Sequence, residues 1–183
     1  MTIGENIALR NAVDLIGQLI PDAREGLPDD VFYLISRMTP LINVDLLIVN
    51  DRNEKLLTWR EDRFYGPGWH IPGGIIRFKE TAHQRIVKTA KLELGVEVEF
   101  ERTPVLVDEL INADRETRGH FISMIYRCRL VSDLNHENKA SSLSQAKAGQ
   151  WIWVKEIPAN MIKQQLRFKR LFSNDGVKND DAN

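Results

Sequence analysis

Pro72-Gly73-Gly74, then Glu80, then the uninterrupted run from Thr81 to Leu94, closed by Gly95-Val96, is the stretch on which the fold turns. Adjacent glycines after a proline predict a turn whose backbone takes positive φ and approaches a ligand without Cβ interference. From Thr81 to Leu94 no proline or glycine intervenes, and Ala82, Ile86, Ala90 and Leu94 recur every fourth residue. That period predicts an amphipathic helix with Thr81 near its N-cap and Gly95 just past its end. Thr89 and Glu93 then share one face, and Glu80 and Lys88 lie two turns apart at the other end. A glycine turn, a strand and a helix that carries Glu93 near its C-terminus form a layout able to hold a divalent metal against a diphosphate.

Gly74, Glu80, Glu93, Gly95 and Val96 resemble the Nudix box, G-x5-E-x7-R-E-U-x-E-E-x-G-U with U a bulky aliphatic residue. Lys88 stands for the box arginine, Thr89 for the glutamate beside it, Ala90 for the aliphatic residue and Leu92 for the first glutamate of the second pair. The particular loss resembles one branch, the GDP-mannose mannosyl hydrolases, whose box also lacks those glutamates and ends in Glu-Leu-Gly. Thr39-Pro40-Leu41, Asp45, Arg60, Trp69, the run from His120 to Leu130, and Trp153 extend the likeness over roughly residues 30 to 172. The resemblance implies an α/β (α+β) architecture, the Nudix fold, with a mixed β-sheet sandwiched between helices. It divides the chain into an N-terminal helical leader (1–38), a Nudix domain (39–172) and a polar tail (173–183) expected to be disordered.

Composition narrows the alternatives. The 183 residues suit one domain with a sizeable core, and a net charge of −1 gives no reason to expect nucleic acid or a membrane surface as partner. Cys128 is the only cysteine, so an intrachain disulfide or cysteine-cluster metal site is ruled out, and a core thiol is expected. No apolar run approaches the roughly twenty residues of a membrane span, and Met1-Thr2-Ile3-Gly4-Glu5-Asn6 lacks the basic start of a signal peptide, so a cytoplasmic protein is expected. The absence of a G-x4-G-K-[ST] run excludes a Walker-type nucleotide loop.

Elsewhere, Leu9, Val13, Ile16 and Ile20 form a helical stripe ending at Pro21, which predicts a helix that pads the domain or builds a dimer surface. A short helix follows over Asp29 to Arg37. Strands are expected at Leu41 to Val49 and Lys55 to Trp59 about the turn Asn50 to Asn53, then near Val96 to Phe100, Val105 to Leu110, His120 to Leu130 and Trp151 to Val154. The polar stretch from Asp133 to Gln150 reads as a long loop, and Ala159 to Phe172 as a helix.

Mg²⁺, or Mn²⁺ in its place, prefers oxygen ligands and keeps several waters, so one carboxylate plus substrate phosphates suffices. The resemblance makes Glu93 the principal ligand and the Gly73 or Gly74 carbonyl a second. Arg60 and Arg63 flank an aromatic loop; guanidinium groups suit a leaving diphosphate, and the resemblance places Arg60 on it. Trp69 either stacks on a base or packs beneath the glycine turn. Asp45, in a strongly apolar strand, is either a sugar contact or the partner of an arginine. Arg60, Asp45 and Glu93 are thus the catalytic candidates. Arg77, two residues beyond Ile75 where the branch has arginine, and Lys88, in place of the box arginine, complete the substrate-binding candidates. Glu80 reads as structural, tied to Lys88. The branch uses a loop histidine as general base; here Ser144 to Gln150 contains none, Ala148 takes the matching position and Lys147 that of a metal-binding glutamine, while Gln145 and Gln150 lie nearby. His70 and His120 fall near the expected cleft.

Three functions follow: a Mg²⁺-dependent hydrolase, homodimeric through its leader, that converts a GDP-mannose-like nucleotide sugar to sugar and nucleoside diphosphate; a pyrophosphohydrolase releasing nucleoside monophosphate; or a degenerate module that only binds such a ligand.

Overall fold

The computed structural model describes residues 2–173, so most of the polar tail lies outside the described residues. Helices α1 (Ile3–Leu19) and α2 (Asp29–Ile35) precede strands β1 (Leu41–Ile48), β2 (Lys55–Arg60), β3 (Gly68–His70) and β4 (Gly73–Ile75). Helix α3 (Ala82–Leu94) is followed by β5 (Val98–Phe100), β6 (Leu106–Ile111), β7 (His120–Leu130) and β8 (Trp151–Val154).

One sheet runs β4-β1-β7-β5, with β6 also on β7; β1 pairs β7 in parallel and the other pairs are antiparallel, which makes it mixed. A second, smaller sheet runs β3-β2-β8. Alternation along β1 sorts its two faces. Val44, Leu46 and Ile48 pack with Ile86, Ala90 and Leu94 of α3, whereas Leu47 packs on the opposite face against Leu57, Trp69 and Phe168. Each fully buried aliphatic side chain contributes roughly 1.5–3 kcal/mol of burial.

Helix α3 is fixed at both ends. Thr81 and Gln84 form a reciprocal capping box at its start, and Gly95 in the left-handed region (φ 70°) closes it. Just upstream, the buried Glu80 carboxylate accepts from Arg77 N (3.0 Å) and Arg85 Nε (2.7 Å), with Lys88 Nζ 3.1 Å away. Burial alone would raise the Glu80 pKa, but these donors outweigh it and lower it. Arg85, absent from the sequence argument, is therefore a buried partner of Glu80, and Lys88 is an exposed one.

Several expectations change. Gly73 and Gly74 are extended strand residues without positive φ: they form β4 against Asp45 and Val44. Their lack of a side chain serves close approach. A Cβ on Gly73 would stand 2.5 Å from Asp45 Oδ1, and one on Gly74 2.5 Å from Thr89 Oγ1. The segment expected as a helix at 159–172 is a 3-10 helix over Lys163–Phe172, and its lead-in residues pair with Trp69 of β3 instead of coiling. The 133–150 stretch is tied down, with Leu134 and Ala140 buried and the Leu143 carbonyl accepting from Trp69 Nε1 and Asn160 Nδ2. Cys128 is a buried free thiol, its pKa pushed up to about 12 chiefly by burial.

Asp45 is the costly residue of β1. It is 2% exposed, and its Oδ2 has no hydrogen-bond partner. Burial pushes its pKa from 3.8 up to about 6, against the opposing pull of Asn43, Ser123, His70 and Arg167. A carboxyl group whose folded pKa is raised stabilises the fold fully below pH 3.8; that advantage is lost as pH rises through 6. Asp45→Asn, neutral at every pH, is therefore expected to exceed the wild type by up to about 3 kcal/mol at pH 7–8 and to converge with it near pH 4. Urea denaturation across that pH range, in chelator, checks this; a pH-independent difference would show that Asp45 does not titrate as argued.

Candidate active site

On the face of β1 opposite α3, between β4, the edge of β3 and the 3-10 helix, lies a cleft of about 170 Å³. Its polar walls come from separate elements: Asn43 and Asp45 of β1, Arg60 of β2, His70 of β3, Ser123 of β7, and Arg118 of the preceding loop. The cavity is smaller than the about 300–1,000 Å³ typical for a whole small-molecule ligand. It therefore suits one part of a substrate, such as a sugar ring or phosphate, with the remainder at its mouth.

Positive charge dominates the wall. Arg60 keeps its Nε 3.2 Å from Asp62 Oδ2. Arg118 is half-buried over the rings of Phe64 (4.6 Å) and Phe32 (5.7 Å), with its Nε unpartnered. Burial foremost, then the Arg60 charge, presses its pKa below the usual arginine value, yet guanidinium remains a cation at neutral pH. Arg167 stands 3.1 Å from Asp108 and donates to Ser123 Oγ at 3.1 Å. These cations favour an anionic ligand; the Asn43, Asp45 and Ser123 groups suit hydroxyls.

Glu93 approaches from the α3 side. Its Oε1 accepts from Gly73 N at 3.4 Å, and its Oε2 lies 3.4 Å from Thr58 Oγ1 and 3.5 Å from His70 Nε2. Antiparallel alternation distinguishes the two glycines. Leu46 N donates to Pro72 O and Ile76 N to Ile42 O, which puts Val44 and Gly74 in the hydrogen-bonded pair between them. The backbone of Gly73 accordingly faces off the sheet's outer edge, the same edge from which its N–H reaches Glu93. Glu93 and the Gly73 carbonyl are thus the residues that fit a divalent ion. The lost carboxylates leave no second cluster: Thr89 is buried beneath Gly74, Leu92 is exposed, and the described residues contain no group of three or more acidic, histidine or cysteine side chains placed to hold a metal.

Of the expected site residues, the fold brings Arg60, Asp45, Gly73 and Gly74 to the cleft, with Glu93 beside it. The other four stand apart. Trp69 is fully buried and its indole N–H donates to Leu143 O, so it is a core residue. Arg63 lies on the rings of Tyr33 and Phe64, near Asp29 of α2, an exposed surface position. Arg77 donates to the Glu25 carbonyl at 2.5 Å, tying the leader to the box, and Lys88 points outward to Glu80. Residues 144–150 do not line the cleft; Gln150 instead accepts from Lys147 N. His120 pairs with Glu109 away from the cleft, which leaves His70 as its lining histidine.

Sequence reasoning missed Asn43, Ser123, Arg118, Arg167 and Gln165. Asn43 carried a signal, since it stands two residues before Asp45 in one strand and shares its face. The others carried none: Arg118 sits in a loop at φ 54°, and Gln165 accepts from Ile71 N at 2.7 Å across 94 positions of sequence.

Residues 39–172 match the family model of the NUDIX domain. The chain is 36% identical over 75 residues to the low-salt glycan biosynthesis protein Agl8 of Haloferax volcanii; that match spans 41% of this chain and 47%, about half, of that protein. It is 26% identical over 136 residues, 71% of this chain and 75% of the relative, to an ADP-ribose pyrophosphatase of Methanocaldococcus jannaschii. Two solved structures share the fold at 18% identity and a TM-score of 0.57: the MutT protein of Methanosarcina mazei, covering 76% of this chain and 98% of that one, and a possible asymmetric diadenosine tetraphosphate hydrolase of Jonesia denitrificans, covering 73% and 92%. With its mixed sheet flanked by helices and residues 39–172 matched by the domain model, the chain belongs to the Nudix hydrolase family.

Proposed function

We propose that the chain is a divalent-metal-dependent hydrolase of a nucleoside-diphosphate sugar of the GDP-mannose type, releasing free sugar and nucleoside diphosphate. The observation that carries this is the pairing within one small cleft of hydroxyl-binding groups, Asn43, Asp45 and Ser123, with the guanidinium groups of Arg60 and Arg118. A sugar ring fits the first set and a diphosphate the second. The glycan-biosynthesis relative supports a sugar-linked substrate.

The bond that breaks joins the sugar's anomeric carbon to the diphosphate oxygen. Water forms the new bond to that carbon and releases one proton to solvent, the C–O electron pair leaves on the diphosphate, and Arg60 and Arg118 neutralise it. A divalent ion such as Mg²⁺, held by Glu93 and the Gly73 carbonyl, supplies further charge neutralisation when bound. Asp45 orients the sugar through its hydroxyls. No histidine of the 144–150 segment assists, so turnover is expected to fall below that of relatives with such a base by roughly 10²–10⁴-fold.

Hydrolysis in H₂¹⁸O tests the reaction: the label is expected in the free sugar, with unlabelled nucleoside diphosphate. A second reading, attack on phosphorus, draws on the longer match to the ADP-ribose pyrophosphatase. It predicts nucleoside monophosphate and sugar 1-phosphate with label on phosphorus. Binding without turnover would leave a ligand-binding module.

Arg118→Ala is expected to weaken nucleotide-sugar binding about 10–100-fold, the loss of one charge-assisted contact, while Arg63→Ala changes it little. Calorimetry on both variants decides; equal effects would remove Arg118 from the diphosphate.

The proposal includes a homodimer built on α1. Ile3, Leu9, Val13 and Leu19 of this helix are each more than half exposed, and it has no buried residue. Light scattering is expected to show a dimer that becomes a monomer when residues 1–21 are deleted; a full-length monomer at high concentration ends the idea.

A further inference from the structure

The geometry points to His70 as a second side-chain ligand beside Glu93, in a mixed nitrogen–oxygen site that selects Mn²⁺, Co²⁺ or Zn²⁺ over Mg²⁺. The inference rests on the reading of Glu93 as a metal ligand and adds to it the imidazole and the metal preference. His70 is 5% exposed, lines the cleft, and has its Nδ1 2.8 Å from the Thr58 carbonyl. A carbonyl only accepts, so Nδ1 carries the hydrogen, and in the neutral imidazole the lone pair is on Nε2. Metal-binding histidines are held in this way, with the other ring N–H given to a backbone carbonyl.

That lone pair lies 3.5 Å from Glu93 Oε2, another acceptor. Two acceptors this close, with one hydroxyl hydrogen between them, suit a shared cation. A proton in that place would give a charge-assisted contact near 2.7–2.9 Å. The gap observed is wider, and suits two bonds of about 2.0–2.2 Å to one ion at an angle of roughly 105–120°. The Thr58 hydroxyl lies 3.3 Å from Nε2 and 3.4 Å from the same carboxylate oxygen, and its single hydrogen can serve only one of these two acceptors. The Gly73 carbonyl, on the adjoining strand edge, is the third protein donor. Oxygen-only donor sets suit Mg²⁺, whereas imidazole raises affinity along the series from Mn²⁺ through Co²⁺ towards Zn²⁺. An ion at this position borders the cleft at His70, next to the diphosphate site assigned to Arg60 and Arg118.

Electron paramagnetic resonance on the full chain titrated with Mn²⁺ tests this without turnover. Bound Mn²⁺ in the wild type is expected to show electron spin-echo modulation from a directly coordinated imidazole ¹⁴N. His70→Phe is expected to erase that modulation, weaken Mn²⁺ binding by about tenfold or more, and leave Mg²⁺ binding much less affected. Glu93→Gln is expected to remove tight binding of both ions. Bound Mn²⁺ with no nitrogen coupling in the wild type overturns the inference even if His70→Phe fails to fold. If Glu93→Gln still abolishes binding in that case, the proposed role of Glu93 stands; Mn²⁺ affinity unchanged by Glu93→Gln removes that role as well.

Discussion

The site depends on the closeness with which β4 is pressed between its neighbours. Gly73 lies against the Asp45 carboxylate on one side and Gly74 against Thr89 of α3 on the other, each at a separation no Cβ would tolerate. Because β4 is an edge strand, this contact sets how far α3 stands from the sheet. The last turn of α3 thereby reaches the strand edge, where Gly73 donates to Glu93. A larger residue at Gly74 would displace the helix, and Glu93 would lose both the backbone donor and the approach to His70; one at Gly73 would collide with Asp45 on the opposite face.

The other end of the helix explains why that position is held. Glu80 gathers a backbone amide, a buried guanidinium and an exposed ammonium around one carboxylate. An ion pair this deeply buried is costly to break from one side, typically by about 3–5 kcal/mol. It fixes the loop leading into α3, while Gly95 ends the helix in the left-handed turn that starts the path to β5. Glu80 and Glu93 thus differ in kind: the first is consumed by structure, the second stays partly exposed beside the cleft.

Legibility in the sequence followed the range over which each feature is determined. Helix α3 was readable because its period, its cap at Thr81 and its glycine stop are local, and β7 because eleven consecutive residues favour a strand. Strands β3 and β4 have three residues each and form through pairing with distant partners, so the glycines there passed for a turn. The 3-10 helix carries an amphipathic pattern that fits an α-helix equally well; the pairing of residues 160–162 with Trp69 sets its start. Of the candidate site residues, Arg60, Asp45 and Glu93 were proposed through resemblance; the first two line the cleft and Glu93 stands beside it. Arg118 was missed because its place depends on aromatic rings contributed by Phe32 and Phe64, from two other segments. His70 was noted only as near the cleft, since its value lies in a cross-strand contact to Thr58 and a helix contact to Glu93.

Asp45 shows what the fold tolerates for the sake of the cleft. Packing at that position in β1 could be met by a neutral polar or small apolar residue, yet the chain keeps a carboxylate with one oxygen unpartnered. Asn43, Ser123, His70 and Arg167 relieve it only in part, and Arg167 is shared with Asp108. A buried group left short of partners is a destabilising choice that native structures make chiefly at functional sites. At the base of a cleft otherwise rich in cations, a hydroxyl donor from a bound molecule would meet the need without adding charge. The same wall that would hold a diphosphate by its arginines therefore leaves, at Asp45, a place shaped for the neutral group attached to it.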